Sequence, residues 1–553
     1  MRKYAVQTLR SPCTWIVAVA IYLFASWAHA QYVNMAGPVG ACDLGIFYQA
    51  VQGWSTNGWP YVAIKGFPQL GDHFSPAFAL LAPLLWINDS PLMLVYAQIL
   101  LLCLSGVPIY HLFRRRHGLW VASGILIAYL CSHAVLRTIA FPVHEVMFGA
   151  VLLAWGLERM LTGKWTQATV LFALLVTVKE DGGLLCALLG LYALVNRRWR
   201  HGTFLILWGG LWFVLTLKVI IPALNPGGFT YVVDYQQSLH ADGIFAGIPY
   251  MLSHPLEILA LMVDDPEKVT TWVRLLLPLG FVALASPIVL LAVPMMLARM
   301  LSSRETQWSS AFYYDMPLMP ILFAAAADGI RRIGNVVDRF RGLPPVPDPA
   351  RHPQPANAAL PSSTADPTVA SPGSDPAVAS PGSSPTEAMA EGGSPADNGA
   401  KPGVPRKRRT STVLAAVAAV VFAAFALLDF QDGQVVRWHL GSGGFNTSAS
   451  VAEAHQALDR VPEGVTVRAT NNLAPPLLAT NEVTLIGSNV DRGDWAIVDT
   501  LKPGCPITDA VVPAVMQQLD GMGFRTVFTT GRFVVLQRTA PATAPIRGTG
   551  ARS

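Results

Sequence analysis

The chain has 553 residues, 52% hydrophobic and only 13% charged, about half the roughly 25% charge of a soluble globular protein. A single soluble core stops growing near roughly 250–300 residues, so this much apolar side chain excludes one soluble domain and indicates a polytopic membrane protein. The net charge of +5 sits in short basic clusters between hydrophobic runs rather than on one face, which excludes a nucleic-acid-binding surface.

The first ten residues, MRKYAVQTLR, are basic, and the positive-inside rule assigns Arg2, Lys3 and Arg10 to the cytoplasm. WIVAVAIYLFA follows, then AHA at 28–30 before Gln31, the outline of a cleavable signal peptide. The later spans keep a consistent orientation only if this segment stays as an uncleaved helix over about 13–29. An external loop is expected over 30–90, with two aromatic-rich stretches, 43–54 and 74–87, lying along the membrane surface.

Spans are next expected at 91–113, 118–136, 144–161, 165–180, 182–195 and 203–222. RRRH (114–117), Arg159 with Lys164, and NRRWRHG (196–202) then all face the cytoplasm. A second external loop covers 223–269. The apolar run 270–301, broken at Ser286-Pro287, is expected to split into two spans. Spans at 313–330 and 411–429 complete about eleven.

Residues 342–410 begin as a Pro/Ala/Ser-rich stretch that cannot bury enough surface to fold, a disordered cytoplasmic linker, and close on the basic anchor RKRRT. Over 430–541 helix and strand patterns alternate: a helix at 451–461, strands in VTVRAT, EVTLIG and WAIVDT, a helix in PAVMQQLDGMG, and a hairpin around Gly531. That alternation predicts a small α/β domain outside the membrane. It carries no G-x-G-x-x-G or Walker pattern. A disordered tail is expected at 542–553.

Polar groups at membrane depth are costly and usually functional. Here the expected topology gathers them at the outer leaflet: Asp43; Asp72 and His73 in GDHFSP; His144 and Glu145 in FPVHE; Lys179, Glu180 and Asp181 in VKEDGG; Asp234 and Tyr235; and Tyr313, Tyr314 and Asp315. Each has an ordinary structural use as well. Asp43 can N-cap a surface helix, Glu145 suits a helix N-terminus, and the KED triplet can be a solvated turn. Of the six cysteines, Cys13, Cys103, Cys131 and Cys186 lie in hydrophobic segments. Cys42 and Cys505 fall on the same expected side, and their pairing is left open because sequence gives no distance. No H-E-x-x-H or comparable ligand spacing marks a metal site.

An acid directly after the first span, a long external loop and an outer soluble domain resemble the C-type glycosyltransferase (GT-C) superfamily. The ordered set DLGIFYQ, DHFSP, HE, KED and NNLAPPL more closely resembles DUF2079, a family of bacterial polytopic membrane proteins, over about 30–330 and 450–500. The linker departs from that compact pattern as an insertion. The resemblance implies a mostly α, GT-C-like transmembrane bundle of about eleven spans with a small C-terminal extracytoplasmic α/β domain. It implies a cell-membrane enzyme that moves a sugar from a polyprenyl-phosphate carrier to a glycan, lipid or protein acceptor of the cell envelope.

On that resemblance Asp43 is the general base. His73 and Lys179 would contact the phosphate, with Arg137 and Arg274 competing for that role. Asp72, His144, Glu145, Glu180 and Asp181 would orient the sugar or the base, and Tyr314 would line the substrate site. No cofactor is required, although clustered carboxylates could hold a divalent cation. Two other classes stand beside this one: a transporter or lipid flippase, which usually shows internal repeats and midplane charges, and a non-catalytic membrane scaffold.

Overall fold

The computed structural model describes residues 11–34, 40–141, 143–240, 244–342, 410–432, 449–488 and 492–539. The basic N-terminal segment, the Pro/Ala/Ser-rich linker and the tail at 542–553 lie outside the described residues. The molecule is mostly helical, a bundle joined to a small mixed sheet.

Among the described residues, three helices are long and apolar enough to cross a membrane: Pro12–Val33, Leu92–His117 and the run Trp199–Leu224. A fourth span is formed if the pair Leu119–Leu130 and His133–Ala140, bent by 41°, counts as one. The first helix seats Phe24 and Trp27 in the common core. Shorter helices, Val146–Leu161, Trp165–Ala173 and Gly182–Val195, stand where three further spans are expected. Gly182–Val195 and Trp199–Leu215 approach backbone to backbone: a Cβ on Gly209 would lie 2.3 Å from the Gly183 carbonyl oxygen. Small residues permit such contact where no hydrophobic drive exists between helices in lipid.

The run 270–301 corrects the expectation of two spans. It folds as the helix Pro266–Leu276, three 3-10 segments and the helix Val293–Met300. Pro278, Pro287 and Pro294 remove backbone donors. Gly280 and Phe281 both take positive φ, 55° and 57°, so no continuous helix can pass through them. The two aromatic-rich stretches of the first loop are helical, at Ile46–Thr56 and at Pro76–Leu81 with Ala82–Ile87.

Helix direction sorts the charges. Val146–Leu161 starts beside Glu145 and ends near Glu158, which is fully buried between Arg115 at 3.0 Å and Arg159 at 3.3 Å. Its 16 residues span about 24 Å. Leu318–Phe340 likewise starts beside Asp315 and carries Asp328, Arg331 and Arg332 further along. The acidic and histidine-rich turns and the basic clusters therefore occupy opposite ends of the bundle.

In the first loop β1 (Tyr61–Val62) pairs antiparallel with β2 (Phe67–Pro68). In the C-terminal domain β3 (Thr466–Ala469), β4 (Glu482–Leu485), β5 (Trp495–Asp499), β6 (Phe524–Thr530) and β7 (Phe533–Arg538) form one sheet in the order β4-β3-β5-β7-β6. β3 runs parallel to β4 and β5, while β7 is antiparallel to β5 and to β6. The helices are Ala449–Leu458 and Val512–Gly521. Val467, Leu473, Leu477, Val483 and Phe533 belong to the same hydrophobic core as the bundle, so the domain is packed onto the helices.

Candidate functional site

Asp43 lies in a π-helical turn, Ala41–Gly45, that leads into the helix Ile46–Thr56. Ala41 and Leu44 face the core, while the Asp43 side chain is 34% exposed. Its neighbour is His144, whose Nε2 lies 3.6 Å from Asp43 Oδ1. The imidazole is fixed by aromatic faces: Tyr313 stacks at 3.6 Å, Phe141 at 5.6 Å, and Phe47 meets it edge-on at 5.3 Å. Tyr314 packs on Tyr313 at 4.3 Å.

The network continues inward. His144 Nδ1 lies 3.5 Å from Glu145 Oε2, and Glu145 Oε1 lies 2.8 Å from Lys179 Nζ. Glu145 is 1% exposed, and neither of its oxygens has an aligned hydrogen bond. Lys179 offsets the buried carboxylate of Glu145 as its ion-pair partner.

Glu180, next in sequence, turns to the first loop. Its Oε1 meets His73 Nδ1 at 2.9 Å, and its Oε2 accepts from the Phe74 N–H at 3.3 Å. Burial disfavours a charged imidazole at His73, but Glu180 more than offsets this against Lys179 repulsion, so the His73 pKa is raised. His73 stacks on Tyr231 at 4.6 Å. The Tyr231 hydroxyl donates to Asp72 Oδ1 at 3.0 Å, and Lys65 pairs with Asp72 Oδ2 at 3.1 Å. A cleft of about 430 Å³ opens there, lined among others by Lys65, Asp72, Asn225, Tyr231, Arg304 and, from the C-terminal domain, Ser488.

The structure thus brings together Asp43, Asp72, His73, His144, Glu145, Lys179, Glu180 and, through Tyr313, Tyr314. Asp181 follows Glu180 with its side chain exposed at the start of Gly182–Val195. Arg274 is not among the contacts of this group: it is exposed, 3.9 Å from Glu267. Arg137 is exposed as well. Asp234 pairs with Arg304 at 2.8 Å, and Asp315 with Arg299 at 2.6 Å. Among the described residues, no group of three or more His, Cys, Asp or Glu side chains is placed to hold a metal ion.

Sequence reasoning missed Gln98, Lys65 and Tyr231. Gln98 Oε1 accepts from the His144 N–H at 2.9 Å while its Nε2 donates to the Thr138 carbonyl at 2.9 Å, which fixes the turn bearing His144. A buried glutamine in an apolar span was its only signal. Tyr231 stood close to Asp234 in GGFTYVVDY, where a loop tyrosine looks like any interfacial residue.

Residues 38–343, more than half of the chain, match the model of the family DUF2079, described as predicted membrane proteins. No curated protein matches the chain. Among solved structures it is similar to ArnT from Cupriavidus metallidurans bound to undecaprenyl phosphate, with TM-score 0.47 and 14% identity over 96% of this chain and 99% of that one. The apo form of the same protein gives TM-score 0.48 and 13% identity over 95% and 98%. Both scores lie below 0.5, a degree of likeness from which neither fold nor function follows.

Proposed function

The chain belongs to the DUF2079 family of membrane proteins, and from the geometry of its polar cluster we propose that it is an integral membrane glycosyltransferase. It takes a sugar from a polyprenyl-phosphate carrier and passes it to an acceptor of the cell envelope, outside the cytoplasm. One observation carries this reading: a partly exposed carboxylate, Asp43, stands at the mouth of a connected set of buried cations and acids at the bundle end opposite the basic clusters. By the positive-inside rule that end is extracytoplasmic. Nucleotide sugars are cytoplasmic, so a lipid carrier is the donor available there. The disulfide that joins Cys42 to Cys505 suits an oxidising compartment.

In the proposed step the acceptor hydroxyl gives its proton to the Asp43 carboxylate as its oxygen bonds to the anomeric carbon. The bond from that carbon to the phosphate oxygen breaks, and the electron pair leaves with the polyprenyl phosphate. Lys179 and the protonated His73 supply positive charge for that leaving group. His144, wedged between Phe141 and Tyr313, keeps the base in register. Glu145 and Glu180 hold the two cations in place, Asp72 and Asp181 orient the sugar, and Tyr314 lines the site. The cleft beside Asp72 receives the acceptor. A flippase would need a polar path through the bundle; here the buried charges gather at its two ends, around Glu145 at one and around Glu158 and Asp328 at the other.

Binding tests the reading before any acceptor is known. Native mass spectrometry of the purified protein should show one bound polyprenyl phosphate, and Lys179→Met should weaken binding about tenfold, the worth of one charge-assisted contact. Binding unchanged by Lys179→Met, or none in the wild type, would contradict it.

A further inference from the structure

We infer that Asn471 of the C-terminal domain is a positioning residue for Asp43, acting on the turn that carries it; the inference rests on the reading of Asp43 as the base. The first turn of any helix leaves backbone N–H groups with no acceptor inside the helix. In the turn Ala41–Gly45 the two leading donors are taken by one residue of the other domain. The Ala41 N–H donates to the Asn471 carbonyl at 3.2 Å, and the Cys42 N–H donates to Asn471 Oδ1 at 2.8 Å. Asn471 therefore caps, from the other domain, the turn in which Asp43 is the third residue.

Two further features tie the same points together. The Asn471 N–H donates to the Pro503 carbonyl at 3.0 Å, which joins it to the loop bearing Cys505. Cys505 is bonded to Cys42, 463 positions away in sequence, with Cα atoms 6.3 Å apart. Gly40 completes the fit: a Cβ there would lie 2.2 Å from Asn471 Nδ2, so only glycine lets the asparagine reach both donors. Tyr32, which donates to the Pro475 carbonyl at 3.1 Å, and Gln49, which donates to the Val483 carbonyl at 2.8 Å, anchor the domain on either side.

The domain is thus a working part of the site. Asp43 faces His144 at 3.6 Å because its turn is capped and cross-linked from the other domain. A displacement of about 1 Å in such a group can cost on the order of 100-fold in rate. Loss of the cap should lower turnover while the substrate pocket, built from other segments, keeps its affinity.

The test compares full-length wild type, Asn471→Ala and Asn471→Asp in detergent. Aspartate keeps the Oδ1 acceptor and puts a negative charge at a helix start, where it is favourable. With a polyprenyl-phosphate sugar as donor, Asn471→Ala should lower kcat about tenfold or more with KM nearly unchanged, and Asn471→Asp should restore it. Hydrogen exchange gives a readout independent of activity: the Cys42 amide, which loses its side-chain acceptor, should exchange about tenfold faster in Asn471→Ala, the worth of one hydrogen bond, while β3 and β5 stay protected. If Asn471→Ala does not fold, reducing the disulfide of the wild type replaces it, with the same shift expected at Cys42 and its reversal on reoxidation. Unchanged exchange at Cys42 overturns the inference. So does faster exchange with kcat intact. A wild type that transfers no sugar from any polyprenyl-phosphate donor counts against the assignment of Asp43 as base, and exchange then still decides whether Asn471 holds the turn.

Discussion

Two buried acids, Asp328 and Glu145, stand at opposite ends of the bundle and are partnered differently. At the basic end Asp328 is 3% exposed and saturated. Arg331 reaches it with Nε at 3.0 Å and Nη2 at 2.6 Å, Arg332 at 2.6 Å, and the Ser286 hydroxyl donates at 2.8 Å. These short, aligned bonds form mostly along one helix, at i+3 and i+4, the arrangement expected of a structural ion pair. At the other end Asp43 and His144 stand 3.6 Å apart, His144 and Glu145 3.5 Å, and Glu145 has no aligned bond. That cluster is built from four separate segments of the chain and leaves acceptor capacity open. A saturated network stabilises; an unsaturated one at an opening is available to a ligand.

The comparison can be broken at either end. Asp328→Ala should have the largest effect on stability, roughly 3–5 kcal/mol, because it leaves two arginine charges without their shared partner. Thermal unfolding in detergent measures this, and the rate per folded molecule should hardly change. Glu145→Gln should cost less, roughly 1–3 kcal/mol, since Lys179 keeps 22% of its side chain exposed and can be hydrated. Its effect on turnover should exceed its effect on stability. Equal stability losses for the two variants would erase the distinction.

The His73–Glu180 pair makes a pH-dependent contribution. The raised His73 pKa gives stability that is fully present below the ordinary histidine value and is lost as pH rises through the raised one. Melting curves of wild type and His73→Gln should therefore differ most below about pH 6.5 and converge on the alkaline side. A difference that stays constant to pH 10 would mean that His73 is not charged. The smallest effect is expected for Arg274→Ala: an exposed pair at 3.9 Å is worth about 0–1 kcal/mol, and transfer should stay within a few-fold of wild type.

The separation of charges by bundle end was legible in the sequence, because RRRH and KED are local and the positive-inside rule needs only their order. So were the elements of the C-terminal domain: EVTL alternates, WAIV is a short apolar run suited to a strand covered on both faces, and the hairpin turns at Gly531 with φ 53°. The run 270–301 was misread because hydropathy counts Pro278 and Phe281 as span residues, whereas the backbone breaks at them. Long-range pairing could not be read. His144 meets Asp43, and Cys42 meets Cys505, through folding that brings distant segments together, and no local pattern encodes those distances. Asn471 was visible within NNLAPPL, but its work as a cap appears only once the turn at Ala41 lies beside it.

The central claim is that the open carboxylate of Asp43 is the base. Asn at this position keeps the size of the side chain and its contact with His144 but cannot take a proton. Purified wild type and Asp43→Asn should be compared for transfer from a polyprenyl-phosphate sugar, normalised to folded protein. The account predicts a loss of about 10²–10⁴-fold with melting temperature and lipid binding nearly unchanged. Transfer by Asp43→Asn within about threefold of wild type, far less than removal of a general base costs, would contradict it.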